Sequence, residues 1–275
     1  MGRSRPNVST HSVTSQSSTI EVHVFEPHQS AGTNKDSCDI TGTIVTVHPW
    51  ATLGGGEHNT IGLARYITSQ TESNQMWRVI TFTLQSTPIW RGGAVWGILS
   101  KHSYEVEQIV DVTKWAMNTY GPVVLLGSSA GAPMAGSSME QLLQDGSFKD
   151  KFIAYVALGF TFGKFASLGF GRHFSAVIST GNTDHSLCGT DQTSDTIIVP
   201  PPKLFIMGEK DEFTTVPQLE KAVAKMKASC GSSRIDTRIV ANVGHFELES
   251  PGYDPYVSKL VLEWLEDVLT KTESG

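Results

Sequence analysis

Short apolar runs alternate with longer amphipathic segments along most of the chain. The apolar runs are rich in β-branched residues, as in the buried strands of a parallel sheet, and they read GTIVTVH, WRVITFTLQ, PVVLLG, KFIAYVALG, KLFIMG and TRIVANV. The amphipathic segments carry apolar residues at three- and four-residue steps, which is typical of packed helices, and they include TIGLARYITS, YEVEQIVDVTKWAMNTY, VPQLEKAVAKMKAS and YVSKLVLEWLEDVLT. This alternation predicts an α/β fold in which helices cover both faces of a mostly parallel sheet.

The N-terminal part of the chain departs from this pattern. Residues 1–18 are rich in Ser and Thr, and we predict that they form a disordered tail. The segment TIEVHVFEP then alternates apolar and polar residues, which predicts a half-buried edge strand. An exposed edge near residues 19–27 would be able to pair with a second copy of the chain. We predict a single domain over residues 19–271, with an irregular insertion after YVALG.

Composition and charge narrow the class of protein. The chain has 275 residues, of which 39 % are hydrophobic and 17 % charged, and its formal net charge is −6. Because nucleic-acid phosphates attract clustered Lys and Arg, we expect no nucleic-acid partner. No run approaches the roughly 20 apolar residues of a membrane helix, and the first residues lack the apolar segment of a secretory signal. Three widely spaced cysteines (Cys38, Cys188 and Cys230) favour free thiols. We expect a cytoplasmic protein, with nuclear or organellar placement as alternatives.

Two serines follow the apolar run PVVLLG. The segment Gly127–Gly131, GSSAG, matches the G-x-S-x-G pattern with Ser129 at its centre. In this pattern a sharp turn between strand and helix raises the serine hydroxyl above the sheet, and the glycines let strand and helix approach closely. The N–H of Ala130 would lie at a helix N-terminus, where it can stabilise an oxyanion. The alternative is a tight turn without chemistry.

A serine hydroxyl needs a histidine to take its proton, and the histidine needs a carboxylate to orient it. Asp211 comes just after the strand KLFIMG, and His245 comes just after TRIVANV. The order Ser129, Asp211, His245 is the one in which α/β-hydrolases carry their triad. The neighbouring Glu209 and Glu212 are alternative choices for the acid.

An oxyanion hole needs a second N–H donor, usually from the loop after an earlier strand. The loop HPWATLGGGEHN occupies that place, and Trp50 is the candidate donor because Pro49 has no N–H. The histidines show no spacing that indicates a metal site, and we expect neither a metal nor an organic cofactor. Four side chains near the strand ends are predicted to line a substrate pocket: His48, Phe160, Phe213 and Phe246.

The segments HPWATLGGGEHN, GSSAG, GEKDEF and GHFELE, in this order, resemble the α/β-hydrolase superfamily. More narrowly, they are similar to its small, cap-poor members, the dienelactone-hydrolase-like and related serine-hydrolase families. The resemblance implies an eight-stranded, mostly parallel sheet with a minimal cap. It also implies a triad of the serine, aspartate and histidine named above, with the two backbone donors as the oxyanion hole. Dienelactone hydrolases use a cysteine nucleophile, so Ser129 argues against that particular reaction.

These observations predict a carboxylesterase-like serine hydrolase that acts on a small-molecule acyl substrate through an acyl-enzyme. Two kinds of alternative stay open. The same triad can serve a thioesterase, an acyltransferase or a lyase, because a fold does not decide among these reactions. The fold can also belong to a binding or regulatory protein whose triad is idle. The sequence does not predict an oligomeric state.

Overall fold

The computed structural model describes residues 7–15, 18–28, 40–49, 55–70, 75–85, 104–162, 173–174, 176–178, 200–230 and 234–273. The strands are β1 (Asn7–Ser15), β2 (Ser18–Glu26), β3 (Ile40–Val47), β4 (Met76–Phe82), β5 (Val123–Ser128), β6 (Phe152–Leu158), β7 (Lys203–Gly208) and β8 (Ile235–Val240). The helices are α1 (His58–Thr68), α2 (Tyr104–Tyr120), α3 (Gly131–Gln144), α4 (Val216–Cys230), α5 (His245–Leu248) and α6 (Asp254–Glu273).

The eight strands form one sheet in the order β1-β2-β4-β3-β5-β6-β7-β8. The pairs β1–β2 and β2–β4 are antiparallel, and the remaining neighbours are parallel. Parallel neighbours need a long crossover, and the amphipathic segments supply it: α1 joins β3 to β4, α3 joins β5 to β6, and α4 joins β7 to β8. The predicted α/β fold with a mostly parallel eight-stranded sheet is confirmed.

The prediction of a disordered tail over residues 1–18 is wrong for residues 7–15. They form β1, which pairs along its whole length with β2 and buries Val13 to 4 % exposure. β1 is the edge strand, and β2 lies inside the sheet, with Val22 and Val24 fully buried. The predicted edge, and with it the pairing of a second copy at residues 19–27, is therefore wrong.

Helices cover both faces of the sheet. On one face α2, α3 and α4 pack on the sheet through side chains such as Ile109, Met139 and Leu219. On the other face α1 and α6 pack through side chains such as Leu63 and Val261. A strand buried on both faces reads as a continuous apolar run, which explains why β5 and β7 stand out in the sequence. Among the helices of the described ranges, none has the length and apolar character needed to cross a membrane.

The parallel strands bring the predicted functional residues to one edge of the sheet. The carboxyl ends of parallel strands meet at the same edge, where α/β proteins bind their ligands. Ser129 directly follows β5, Asp211 is the third residue after β7, and His245 follows β8 after a short turn. The single domain over residues 19–271 stays a prediction, because much of the insertion after β6 lies outside the described residues.

Candidate active site

Ser129 occupies a sharp turn between β5 and α3. Its φ is 50°, and Asn242 is the only other non-glycine residue with a positive φ in the described ranges. The left-handed region costs an L-residue about 1–2 kcal/mol, so the surrounding structure must hold it in place. The Ser129 N–H donates to the Leu158 carbonyl at 2.8 Å, and the Ser129 carbonyl accepts from the Ala132 N–H at 3.0 Å. These bonds fix the turn against β6 and against the first turn of α3.

The two glycines of the G-x-S-x-G pattern make room for this turn. A Cβ on Gly127 would lie 2.4 Å from the Ala132 Cα, and a Cβ on Gly131 would lie 2.4 Å from the His48 carbonyl oxygen. Both separations are shorter than any real carbon contact, and both involve backbone that cannot move aside. The expectation that these glycines let strand and helix approach closely is confirmed.

His245 lies between Ser129 and Asp211. Ser129 Oγ is 2.7 Å from His245 Nε2, and His245 Nδ1 is 2.6 Å from Asp211 Oδ2. An ionised carboxylate only accepts hydrogen bonds, so Nδ1 donates to Asp211. Nε2 then accepts a hydrogen bond from the Ser129 hydroxyl. His245 is 1 % exposed and Asp211 is 6 % exposed. Burial excludes water that would otherwise compete for these hydrogen bonds.

Asp211 is held in place by the turn that follows it. Its Oδ1 accepts the Phe213 N–H at 2.9 Å and the Thr214 N–H at 2.8 Å. The Thr214 hydroxyl in turn donates to the Phe160 carbonyl at 2.8 Å, which ties this turn to the end of β6. One carboxylate oxygen is therefore fixed by backbone donors, and the other is left for His245.

The two alternative acids have other partners. Glu209 Oε2 accepts the Asn242 N–H at 2.9 Å, and Glu212 Oε2 accepts the backbone N–H of His245 at 3.0 Å. Glu212 thus binds the turn that carries the histidine without touching the imidazole ring. Of the three acids that the sequence left open, Asp211 is the one bonded to the ring.

Two phenylalanines border the imidazole. The ring centroids of Phe213 and Phe246 lie 4.6 Å and 5.4 Å from that of His245, and 5.6 Å from each other. Phe246 is 59 % exposed although it is large and apolar. We call Phe213 and Phe246 the aromatic rim. It presents apolar surface to solvent directly beside the histidine.

His48 and Phe160 do not reach an open pocket, which corrects the predicted pocket lining. His48 is 2 % exposed: its Nε2 accepts the Leu84 N–H at 2.9 Å and its Nδ1 donates to the Pro49 carbonyl at 2.5 Å. Burial lowers the pKa of His48, so this neutral ring fixes the end of β3. Phe160 is 1 % exposed and packs against other aromatic rings of the core, those of Phe162, Phe174 and Phe205.

Of the two predicted oxyanion donors, Ala130 lies within the described residues. Ala130 directly follows Ser129 and precedes α3, and no acceptor in the described residues is bonded to its N–H. Trp50, the other predicted donor, lies outside the described residues. The oxyanion hole therefore stays a prediction.

Sequence reasoning missed two residues that contact the triad or its flanking residues. Gly159, at the end of β6, has a φ of +56°, and a Cβ there would lie 3.0 Å from His245 Cε1. Glu249 accepts the Ser128 hydroxyl proton on Oε1 at 2.5 Å, and burial raises the pKa of the Glu249 carboxyl. The glycine at the end of YVALG is a sequence signal for a tight turn at residue 159. No sequence pattern pairs Ser128 with Glu249.

A second serine–histidine pair lies away from this site. Ser137 Oγ is 2.7 Å from His173 Nδ1, and the two residues are 1 % and 0 % exposed. A buried hydroxyl cannot meet a substrate, so this pair serves as a comparison for Ser129. In the described parts of the chain, no group of three or more His, Cys, Asp or Glu side chains is arranged to hold a metal ion.

Neither the models of known protein families nor the curated proteins gave a match to this sequence. Among solved structures, the chain is similar to a lidless α/β serine hydrolase from Xanthomonas campestris, with a TM-score of 0.59 and 14 % identity over 94 % of this chain and 95 % of that one. It is also similar to a dienelactone hydrolase from Anabaena variabilis, with a TM-score of 0.60 and 15 % identity over 96 % of this chain and 99 % of that one. For an esterase from the archaeon Pyrobaculum calidifontis the TM-score is 0.63 and the identity 14 %, over 96 % of this chain and 85 % of that one. At identities this low, structural similarity establishes the architecture and not the reaction. Together with the strand order and the strained turn at Ser129, this similarity shows that the chain has the α/β-hydrolase fold.

Proposed function

We propose that the protein is a serine hydrolase that cleaves carboxylic esters, or closely related acyl bonds, through a covalent acyl-enzyme. One observation carries the proposal. A strained, sheet-edge serine lies 2.7 Å from His245 Nε2, and the same ring lies 2.6 Å from the Asp211 carboxylate. The similar solved structures, which are described as hydrolases and esterases, support the same class of reaction.

Acylation begins with attack by Ser129. Its Oγ bonds to the ester carbonyl carbon while the hydroxyl proton passes to His245 Nε2, and the carbonyl oxygen becomes an oxyanion. The oxyanion then collapses, the bond from carbon to the leaving oxygen breaks, and His245 returns the proton to that oxygen. Asp211 stabilises the imidazolium that exists between the two transfers. The products of this half-reaction are a free alcohol and an acylated Ser129.

Deacylation repeats the chemistry with water. His245 Nε2 takes a proton from a water molecule whose oxygen attacks the acyl carbon, and the bond to Ser129 Oγ then breaks. The proton on His245 goes to Ser129 Oγ, which regenerates the enzyme and releases a carboxylic acid. We propose that the N–H groups of Ala130 and Trp50 donate hydrogen bonds to the oxyanion. One such donor is worth about 10²–10³ in turnover.

The aromatic rim indicates which part of the substrate lies beside His245. Because Nε2 must reach the leaving oxygen, the leaving group has to pass close to the imidazole ring. In the part of the chain that the structure describes, Phe213 and Phe246 are the aromatic side chains in ring contact with His245. We therefore propose esters whose alcohol portion is apolar or aromatic as the favoured substrates.

Ester hydrolysis by matched variants tests the proposal. The wild-type protein is expected to release 4-nitrophenol from 4-nitrophenyl acetate and butyrate. Ser129→Ala should lower kcat/KM by at least about 10³-fold, whereas Ser137→Ala, which alters the buried pair, should leave it within a few-fold. Parallel assays with the matching thioesters separate an esterase from a thioesterase. A folded wild-type protein without turnover on either series would contradict the proposal and favour an idle binding protein.

A further inference from the structure

A second hydrogen bond joins the turn that carries Ser129 (residues 128–131, the serine turn) to the segment that carries His245 (residues 244–249, the histidine turn). Ser128, the residue before the nucleophile, donates from its hydroxyl to Glu249 Oε1 at 2.5 Å. Glu249 comes four residues after His245, immediately beyond α5. Ser128 is 4 % exposed and Glu249 is partly buried, so water competes weakly for this bond. A buried bond between a hydroxyl and a carboxylate is also stronger than one between neutral groups.

Within the described residues, two side-chain hydrogen bonds connect these turns directly. One is Ser129 Oγ to His245 Nε2, and the other is Ser128 Oγ to Glu249 Oε1. The first uses the reacting atoms, so it is lost once Ser129 Oγ carries an acyl group and has no proton to donate. The second uses no reacting atom, so acylation of Ser129 does not remove it.

We propose that Glu249 is a positioning residue that, through Ser128, keeps the acylated serine turn in register with His245 during deacylation. The proposal rests on the proposed function, because it assumes an acyl-enzyme. Its consequence is an asymmetry between the two half-reactions. In acylation the Ser129–His245 bond itself orients the reacting groups, whereas in deacylation His245 must hold a water against an acyl carbonyl whose position depends on the serine turn.

Other contacts of the histidine turn do not replace this one. The His245 N–H donates to Glu212 Oε2, which ties the turn to the loop after β7. Gly244 donates to Glu247 Oε2 at 3.2 Å, which is a contact within the turn. Neither contact reaches the serine turn. A shift of about 1 Å between base and acyl carbon is enough to cost about 10² in rate.

Burial raises the pKa of the Glu249 carboxyl, and the charges of the triad act on this carboxyl to a smaller extent. The carboxylate lies near enough to His245 and Asp211 for their charges to act on it, with attraction from a protonated His245 and repulsion from Asp211. These effects are secondary to the hydrogen bond. For that reason Glu249→Gln, whose amide oxygen still accepts from Ser128, should behave much like the wild type.

The test measures the acetylated fraction of the enzyme during turnover of 4-nitrophenyl acetate, by acid quench and intact mass. In Glu249→Ala we expect deacylation to slow by about tenfold or more and the acetylated fraction to rise several-fold. The rate of labelling by a fluorophosphonate, which reports attack by Ser129 alone, should change by less than about threefold. Glu249→Gln should restore the wild-type acetylated fraction. Glu247→Ala removes a carboxylate that bonds within the histidine turn and should leave the ratio of the two rates unchanged.

Three results would overturn the inference. The first is an equal loss of acylation and deacylation in Glu249→Ala, which indicates a merely structural role. The second is a failure of Glu249→Gln to rescue. The third is a wild-type protein without turnover and without labelling, which removes the proposed function as well. If Glu249→Ala does not fold, Ser128→Ala breaks the same bond with a smaller change in volume. It must then raise the acetylated fraction, and an unchanged fraction contradicts the proposal.

Discussion

A Cβ atom on Gly159 would lie 3.0 Å from Cε1 of His245, so a side chain at this position would press on the imidazole ring. The φ of Gly159 is +56°, a conformation that L-residues rarely adopt. Two independent constraints therefore act on this position: the backbone conformation, and the short distance that a Cβ would have to the proposed base.

Gly159→Ala should lower both stability and activity. The left-handed backbone costs alanine about 1 kcal/mol in the free energy of unfolding, and the contact pushes the imidazole away, which should lower kcat/KM by about tenfold to 10²-fold. Urea unfolding and ester hydrolysis measure the two effects. Gly121→Ala is the matched control, because Gly121 has a φ of +97° and its Cβ would have no neighbour within 4 Å. That variant should lose stability and keep activity. Equal activity in both variants would contradict the assigned contact.

Asp211→Asn should keep the fold and lose most of the activity. An asparagine amide at this position can donate to His245 Nδ1, which places the wrong tautomer opposite Ser129, and the expected loss in kcat is about 10³–10⁴-fold. Glu212→Gln keeps a carbonyl acceptor for the His245 N–H and should stay within a few-fold of the wild type. The assay is hydrolysis of 4-nitrophenyl acetate, with circular dichroism as a check on folding. A larger loss in Glu212→Gln than in Asp211→Asn would mean that the acid has been assigned to the wrong residue.

Phe246→Ala should change leaving-group preference more than acyl-chain preference. Removal of the exposed ring takes away apolar contact with the alcohol portion, so kcat/KM for phenyl and naphthyl esters should fall by about threefold to tenfold. Methyl esters of the same acids should change little. Tyr256→Ala is the control, because Tyr256 is also an exposed aromatic, at 49 %, but has no ring contact with His245. A uniform loss across alcohol and acyl series would refute the orientation proposed for the substrate.

Asp254→Asn should stabilise the protein at neutral pH. Asp254 faces Gly62 across the contact between α1 and α6, and burial raises the pKa of its carboxyl from 3.8 to about 6. Between these two values the folded protein binds this proton more tightly than the unfolded chain, so its contribution to stability falls as pH rises through this range. Above about pH 6 the charge is a constant cost that asparagine removes.

Urea unfolding of Asp254→Asn at pH 5 and pH 8 measures this cost. Because the side chain is only partly buried, we expect a gain of about 1 kcal/mol at pH 8, well below the value for a fully buried group, and a smaller gain at pH 5. Glu266→Gln, an exposed acid of the same helix, should show no such pH dependence. A gain that is the same at both pH values would show that the charge is not its source.

The sequence predicted the inner strands and the triad for the same physical reason. β5 and β7 are buried on both faces, so they appear as continuous apolar runs. Polar residues that come shortly after the strands of a parallel sheet lie at its carboxyl edge, and Ser129, Asp211 and His245 come after β5, β7 and β8 in a recognised order. Local pattern and chain order were therefore enough to propose these three residues as a triad.

Features that depend on distant contacts were not predictable in this way. β1 is Ser- and Thr-rich and mostly exposed, so its pairing with β2 is invisible to a hydrophobic pattern. His48 also follows an apolar strand, but its ring turns to backbone groups rather than to the site. The contact of Gly159 with His245 and the bond between Ser128 and Glu249 join segments far apart in the chain, and no periodicity marks them.

The most direct test of the central claim is intact-mass analysis after exposure to a fluorophosphonate, which reacts only with an activated serine. We expect one adduct on the wild-type protein, one adduct on Ser137→Ala and none on Ser129→Ala. A folded wild-type protein that takes up no adduct, or an adduct that persists in Ser129→Ala, would show that His245 does not activate Ser129.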